Sequence, residues 1–235
     1  MRPWEMAALV ADRFRVGRVL LAGDAAKVTP PSGGFGGNTA IGDAYDLAWK
    51  LALVLDGTAG PGLLDSYDAE RRPIADRVVA EAQRLAASRG PGADTEDTRT
   101  EQQRAIELTL GFRYRSRAVV IDDEDPADAE DPRDPSGRPG FRAPHVWLPG
   151  RLSTVDLFGD GFVLLSGRDG EFWSDCAAGV RVHTVEGEEF LARYGIGASG
   201  ASLVRPDGVV AWRTVEAPDE PSSVLREALA ALLGR

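Results

Sequence analysis

A loop rich in proline and glycine, residues 29–37, separates a short apolar run from a long helical pattern. The run, residues 18–23, reads RVLLAG and precedes Asp24, which is typical of a strand buried on both faces. After the loop, apolar residues recur every three or four positions as far as Leu55, and Asp56-Gly57 then predicts the end of a helix. The order of strand, glycine loop and helix indicates an α/β segment.

The loop suits a ligand that approaches the backbone closely. Glycines at positions 33, 34, 36 and 37 leave N–H groups accessible, and the helix N-terminus after them adds partial positive charge. Asp24 can accept hydrogen bonds from hydroxyl groups. These features fit a polyol ligand with an electron-rich end, but a purely structural turn has the same sequence, so both interpretations stay open.

An acidic stretch divides the chain. Residues 121–134 carry eight acidic side chains and one arginine, and this composition cannot bury enough apolar surface to fold alone. We therefore expect a mobile linker at residues 119–136, between a first part at residues 1–118 and a domain at residues 137–235. A charged excursion inside one domain would give the same pattern.

Short strands dominate the sequence after this stretch. The turn residues Pro206-Asp207-Gly208 predict a hairpin, and residues 223–233 predict a closing helix. Residues 195–200 match GxGxxG, but a helical pattern precedes them and a strand follows, which is the reverse of a dinucleotide-binding motif. We interpret them as a loop. The predicted strands are residues 155–158, 162–166, 180–185, 201–205 and 209–214.

Composition excludes several classes of function. The formal net charge of −10 disfavours nucleic acid as a partner, because phosphate binding needs a basic surface. The single cysteine, Cys176, allows no internal disulfide and favours a cytoplasmic location. No apolar run reaches the roughly 18 residues of a membrane span, so no membrane association is expected.

The histidines and most of the tryptophans are predicted to have structural roles and not to bind a metal or take part in catalysis. His145 and His183 have no cysteine or acidic cluster at metal-ligand spacing, so no metal site is expected. Trp49 and Trp147 are predicted to lie in the core. Trp173, between the acidic residues Glu171 and Asp175, is left undecided between a core residue and a stacking platform for a ligand.

Residues 17–73, from GRVLLAGDAAKVTPPSGGFGGN to LLDSYDAERRP, resemble the second FAD-binding motif and following helices of the class A flavoprotein aromatic hydroxylases. The resemblance is strongest to the group acting on polycyclic polyketides and phenols. It implies that Asp24 binds the ribityl chain, that the proline and glycine loop packs beside the isoalloxazine, and that amides at the helix start face its N1/O2 edge. The implied cofactor-binding residues are Gly23, Asp24, Pro30, Pro31, Gly33, Gly34, Gly36, Gly37 and Asn38.

The sequence departs from the family pattern in three ways. The family usually has histidine and asparagine where this chain has Lys27 and Asp46, which we interpret as drift at tolerant positions. The family's initial GxGxxG unit and its substrate-covering sheet are absent from these 235 residues. The resemblance therefore covers the C-terminal half, including a thioredoxin-like domain that lacks a redox dithiol, and we expect this chain alone to bind FAD weakly or not at all.

The expected fold is α/β, a helical partial FAD-binding segment followed by a thioredoxin-like α/β domain. The resemblance implies an FAD-dependent monooxygenase in which NAD(P)H is the reductant and O2 the oxygen source, acting on a phenolic or polyketide ring. No catalytic acid or base can be assigned. A separate chain could supply the N-terminal half, and a homo-oligomer is possible. The alternative is a non-catalytic remnant serving as a binding or dimerisation module.

Overall fold

The computed structural model describes residues 7–88, 98–177 and 179–235. Helices dominate the first half, and a four-stranded sheet with short helices forms the second. The first half contains β1 (Leu9–Val10), β2 (Arg15–Val16), β3 (Val19–Leu20), β4 (Lys27–Val28), α1 (Phe35–Leu55), α2 (Asp65–Ser88) and α3 (Thr98–Leu110). The second contains β5 (Trp147–Leu148), β6 (Leu152–Ser153), β7 (Val163–Ser166), α4 (Trp173–Cys176), β8 (Arg181–Thr184), α5 (Glu188–Tyr194), β9 (Ala201–Val204), β10 (Val210–Thr214) and α6 (Pro221–Leu233).

The apolar run at residues 18–23 does not form the predicted buried strand. Only Val19 and Leu20 are extended, and within the described chain they pair antiparallel with β2 alone. Val19 is 63% exposed. A strand is buried on both faces only where other layers cover both sides of its sheet, and a two-residue ribbon has no such cover.

Helices α1 and α2 pack together and carry the loop. Helix α1 ends at Leu55 as predicted but begins at Phe35, so the last two loop glycines lie in its first turn. Helix α2 continues through Pro73, although proline removes one backbone hydrogen bond. Phe35 of α1 contacts an apolar cluster that includes Ile74 and Leu85 of α2. In the ranges given above, no helix is both long and apolar enough to cross a bilayer.

The second half has the thioredoxin-like topology. Strand order is β10-β9-β7-β8, with β7 parallel to β8 and antiparallel to β9. This βαβ unit followed by a β-hairpin and a helix confirms the α/β domain predicted from the sequence. The hairpin at residues 206–208 is confirmed, and residues 195–200 form a loop between α5 and β9.

One predicted strand of this domain is wrong. Residues 154–157 form a 3-10 helix, because the Ser153 hydroxyl and the Asp156 carboxylate cap its first turn reciprocally. The apolar residues of this segment therefore belong to a helical turn that buries Thr154 and not to an extended strand.

The acidic stretch is a long loop in which six of the eight carboxylates pair with arginines. Asp123 lies 2.8 Å from an Nη atom of Arg113, and hydrogen bonds from that guanidinium lower the pKa of Asp123 to about 2. Arg138 pairs with Asp125, and Arg115 pairs with Asp128. The loop is therefore anchored where the composition suggested a mobile linker, because its counter-charges come from residues on either side of it. The domain limits at residues 118 and 137 stay a prediction.

Candidate functional site

Most of the candidate cofactor residues lie along one exposed edge at the start of α1. Gly23 and Asp24 lie in a 3-10 turn that packs on α1, where a Cβ on Gly23 would lie 3.4 Å from the Cβ of Ala40. The loop then leads to Gly34, which caps α1. Pro30 is buried and holds the loop against the protein. The solvent-exposed members of the set are Asp24, Pro31, Gly33, Gly34, Gly37 and Asn38.

Loop geometry requires glycine at two positions. Gly33 and Gly34 have φ angles of 78° and 68°, which side chains with a Cβ rarely adopt. A Cβ on Gly33 would also lie 2.3 Å from the Phe35 ring. The backbone of this loop is thus pressed against α1, and its outer side stays free of side chains.

The exposed edge has donors and an acceptor without partners. The first N–H groups of α1 have no intrahelical acceptor and carry the positive end of the helix dipole. Among the residues that the structure describes, none outside the adjacent backbone lies within 4 Å of the Cβ position of Gly34 or Gly37. The Asp24 carboxylate makes no hydrogen bond or ion pair with any residue that the structure describes. These residues therefore fit a ligand that offers hydroxyl groups at one end and an anionic edge at the other.

A buried ion cluster lies beneath the turn. Asp43 of α1 is fully buried and accepts a hydrogen bond from the Gly23 amide at 3.1 Å. Its other partners are Lys27, in direct contact, and the Nε atom of Arg71 at 2.9 Å. Lys27 is only 3% exposed and is ion-paired, which corrects its interpretation as drift at a tolerant position.

Arg71 extends this cluster to the rest of the helical half. It donates to the Tyr114 hydroxyl at 2.8 Å and to the carbonyl of Thr39 at 3.3 Å. Burial and the neighbouring Arg71 guanidinium lower the pKa of Lys27, and the Asp43 carboxylate acts in the opposite direction. The turn that carries Asp24 is thus held in place by the buried charges of the Asp43 cluster, on which it packs.

A second buried cluster joins α1 and α2 to the thioredoxin-like domain. Lys50 lies 2.7 Å from both Asp46 and Glu70, and Arg205 of the β9–β10 hairpin lies 2.7 Å from Glu70. Arg205 also pairs with Asp46 and Asp207. Asp46, the other departure from the family pattern, is therefore also buried and ion-paired, which corrects its interpretation as tolerant.

Sequence reasoning missed Asp43, Glu70, Arg71 and Arg205. A signal for part of this set was present, because Thr39, Asp43, Asp46 and Lys50 recur at intervals of three and four along α1 and share one face. Polar residues at core spacing on an otherwise apolar helix indicate a buried ionic network. Their partners in α2 and in the hairpin have no comparable signal.

Asp46 gives a pH-dependent prediction. Burial, together with the nearby Glu70 carboxylate, raises the pKa of Asp46 well above its ordinary value, so the folded chain binds a proton that the unfolded chain releases near pH 4. The contribution of protonated Asp46 to the free energy of unfolding is fully present below that pH. It is lost as the pH rises through the pKa that Asp46 has in the folded chain. Asp46→Asn has no titrating carboxyl group at this position, so it does not lose this contribution. Each unit of difference between the folded and unfolded pKa of Asp46 corresponds to about 1.4 kcal/mol of unfolding free energy.

We therefore expect the unfolding free energy of Asp46→Asn, relative to the wild type, to increase from pH 5 to pH 8 in urea titrations. Asp160 is exposed and forms no ion pair with any residue that the structure describes, so Asp160→Asn serves as the control and should show no such trend. If the unfolding free energies of the wild type and of Asp46→Asn change in parallel with pH, the pKa of Asp46 is not raised.

Two family models match this chain. One describes an FAD binding domain and matches residues 1–82, and the other describes the C-terminal domain of aromatic-ring hydroxylases and matches residues 136–235. Aklavinone 12-hydroxylase of Streptomyces purpurascens is 51% identical over 249 residues, which cover 99% of this chain and 46% of that protein. Tetracenomycin A2 monooxygenase-dioxygenase of Streptomyces glaucescens is 44% identical over 253 residues, covering 100% of this chain and 45% of that protein.

A solved structure is similar over nearly the whole chain. It is the ternary complex of aklavinone-11 hydroxylase with FAD and aklavinone, with a TM-score of 0.85 and 51% identity. The similarity covers 99% of this chain and 46% of that one. The chain thus spans about half the length of the relatives that it matches.

Proposed function

Because this chain belongs to the FAD-dependent aromatic-ring hydroxylases and corresponds to their C-terminal half, we propose that it forms one wall of the flavin site of a polyketide hydroxylase. The observation that carries this proposal is the exposed edge formed by Asp24, the glycine loop and the N-terminus of α1. This edge lies within the segment that the FAD binding domain model matches.

The cofactor is FAD, which when bound carries electrons from a reductant to the oxygen-activating step. In the proposed site Asp24 accepts hydrogen bonds from the ribityl hydroxyls. The amides of Gly36, Gly37 and Asn38 stabilise negative charge at the N1/O2 edge, because preorganised dipoles favour a developing anion. Pro30 and Pro31, with Gly33 and Gly34, hold the loop beside the ring. Gly23 gives the turn its positive φ of 59°.

The remaining parts of the proposal concern the whole protein. The substrate is an aromatic polyketide or phenol, since the similar solved structure holds aklavinone. NAD(P)H is the proposed reductant. The half of the relatives that this chain does not span would come from a preceding part of the same protein or from a separate chain. A cytoplasmic location agrees with a single cysteine.

Asp24→Ala tests the proposed site. In the protein that contains both halves, we expect the dissociation constant of FAD to rise about ten- to a hundredfold, because hydrogen bonds to charged groups contribute roughly 1.5–3 kcal/mol. The melting temperature should stay unchanged, since Asp24 is exposed and makes no contact that the fold needs. Flavin fluorescence titration beside thermal melting measures both quantities.

The control is Asp160→Ala, which removes another exposed carboxylate, from the thioredoxin-like domain, and should alter neither quantity. If Asp24→Ala binds FAD as tightly as the wild type, Asp24 does not bind the ribityl chain. A loss of affinity that only accompanies a fall in melting temperature would also exclude that role.

A further inference from the structure

Arg205 belongs to the thioredoxin-like domain, but its side chain lies among the helices of the other half. It follows β9 and begins the hairpin turn, in which its N–H donates to Val209 O at 2.9 Å and its carbonyl accepts from Gly208 N at 3.0 Å. Its side chain is fully buried. The hairpin turn therefore inserts a single guanidinium into the helical half.

All three nitrogen atoms of this guanidinium have acceptors. Two donate to the carboxylate of Glu70 in α2, at 2.7 and 2.9 Å. One also donates to Asp46 in α1 at 3.1 Å, and Nε donates to Asp207 at 3.0 Å. The planar group lies 5.0 Å from the centre of the Trp49 ring. Five donors in a fixed fork suit Arg205 to bridge two helices, which a lysine cannot do equally.

The bridge ends on the helix that carries the candidate flavin edge. Asp46 lies eight residues after Asn38 on α1, about 12 Å along a continuous helix. A second contact lies one residue earlier, where the Tyr45 hydroxyl donates to the carbonyl of Pro206 at 2.8 Å. The hairpin thus holds α1 at two adjacent residues. Because α1 is one continuous helix, holding these residues also fixes the position of its first turn.

We propose that Arg205 is a positioning residue for α1, and that the thioredoxin-like domain, which has no dithiol, uses it to hold the flavin-facing end of α1 in place. This inference rests on the proposed function for the identity of the ligand. The bridge that Arg205 forms between α1 and α2 follows from the contacts described above and does not depend on which ligand binds.

Hydrogen exchange of the whole chain tests the positioning without any cofactor. In Arg205→Met we expect amides of α1 at residues 39–50 to exchange at least ten times faster than in the wild type. Amides of β9 should keep their protection, because Arg205 contributes nothing to the core of its own sheet. Arg205→Lys, which retains one cation, should give an intermediate rate.

Arg213→Met is the matched control. Arg213 lies on β10 of the same hairpin and pairs with Asp122 of the acidic loop, so the variant removes an arginine ion pair that is more exposed than that of Arg205 and does not reach α1. It should leave exchange at residues 39–50 unchanged. Equal rates for Arg205→Met and the wild type would overturn the proposal. Equal acceleration by both arginine variants would also overturn it, because general destabilisation would then explain the effect.

Should Arg205→Met unfold the chain, Arg205→Lys and Tyr45→Phe decide the question. Either must accelerate exchange in α1 and not in β9. FAD titration of the protein with both halves separates this inference from the proposed function. A tenfold weaker affinity in Arg205→Lys supports the link to the cofactor, and unchanged affinity with faster exchange overturns that link. If the wild type binds no FAD, the proposed function fails, and exchange alone decides whether Arg205 positions α1.

Discussion

Replacing Asp43 by alanine is expected to lower the free energy of unfolding by about 3–5 kcal/mol, the cost of removing one partner from a buried ion pair. Asp43 is the carboxylate that Lys27 and Arg71 share, and both cations are 3% exposed. Without it, two buried positive charges face each other, and the Gly23 amide loses its acceptor. Urea unfolding of the wild type and the variant measures the difference.

Lys27→Met is the matched comparison for this cluster. It removes one of the two cations and leaves Asp43 paired with the Nε atom of Arg71 and the Gly23 amide. We expect less than half the loss seen for Asp43→Ala, because no charge is left uncompensated and methionine fills a similar volume. A loss below about 1 kcal/mol for Asp43→Ala would show that water or a rearranged side chain replaces the carboxylate.

Replacing Trp173 by alanine is expected to cost about 3–5 kcal/mol in the thioredoxin-like domain, as large aromatic truncations in cores do. The side chain is fully buried and belongs to the apolar cluster that also contains Leu203 of the sheet and Leu225 of α6. Its ring lies 6.1 Å from that of Trp212, edge to face. The Nε1 atom donates to Ser199 O at 3.0 Å, so the variant also loses a hydrogen bond.

Trp147→Ala is the control, since Trp147 is 67% exposed on β5 and is not in the core as its sequence context suggested. Its change in unfolding free energy should stay within about 0.5 kcal/mol, as for most surface substitutions. Thermal melting with tryptophan fluorescence compares the two variants. Similar losses for both would mean that burial does not decide their contributions.

Local patterns in the sequence determined much of the fold. The apolar spacing before Asp56-Gly57 placed the end of α1, and the turn residues at 206–208 placed the β9–β10 hairpin, because both depend on neighbours within a few residues. The glycine loop was recognisable for the same reason, since positive φ angles such as those of Gly33 and Gly34 strongly favour glycine. The nine candidate cofactor residues nevertheless stay a prediction, because their role depends on a ligand and not on local geometry.

Tertiary structure alone decided which charges pair, both in the interior and on the partly exposed acidic loop. The sequence presented Lys27 and Asp46 as tolerant substitutions, and the acidic stretch as a mobile linker. The fold places Lys27 against Asp43, Asp46 near Arg205, and the acidic carboxylates against arginines. The partners in these pairs lie up to 159 residues apart. A charge is stable in the interior only where such a partner meets it, and the meeting of distant residues is set by packing, which no local pattern encodes.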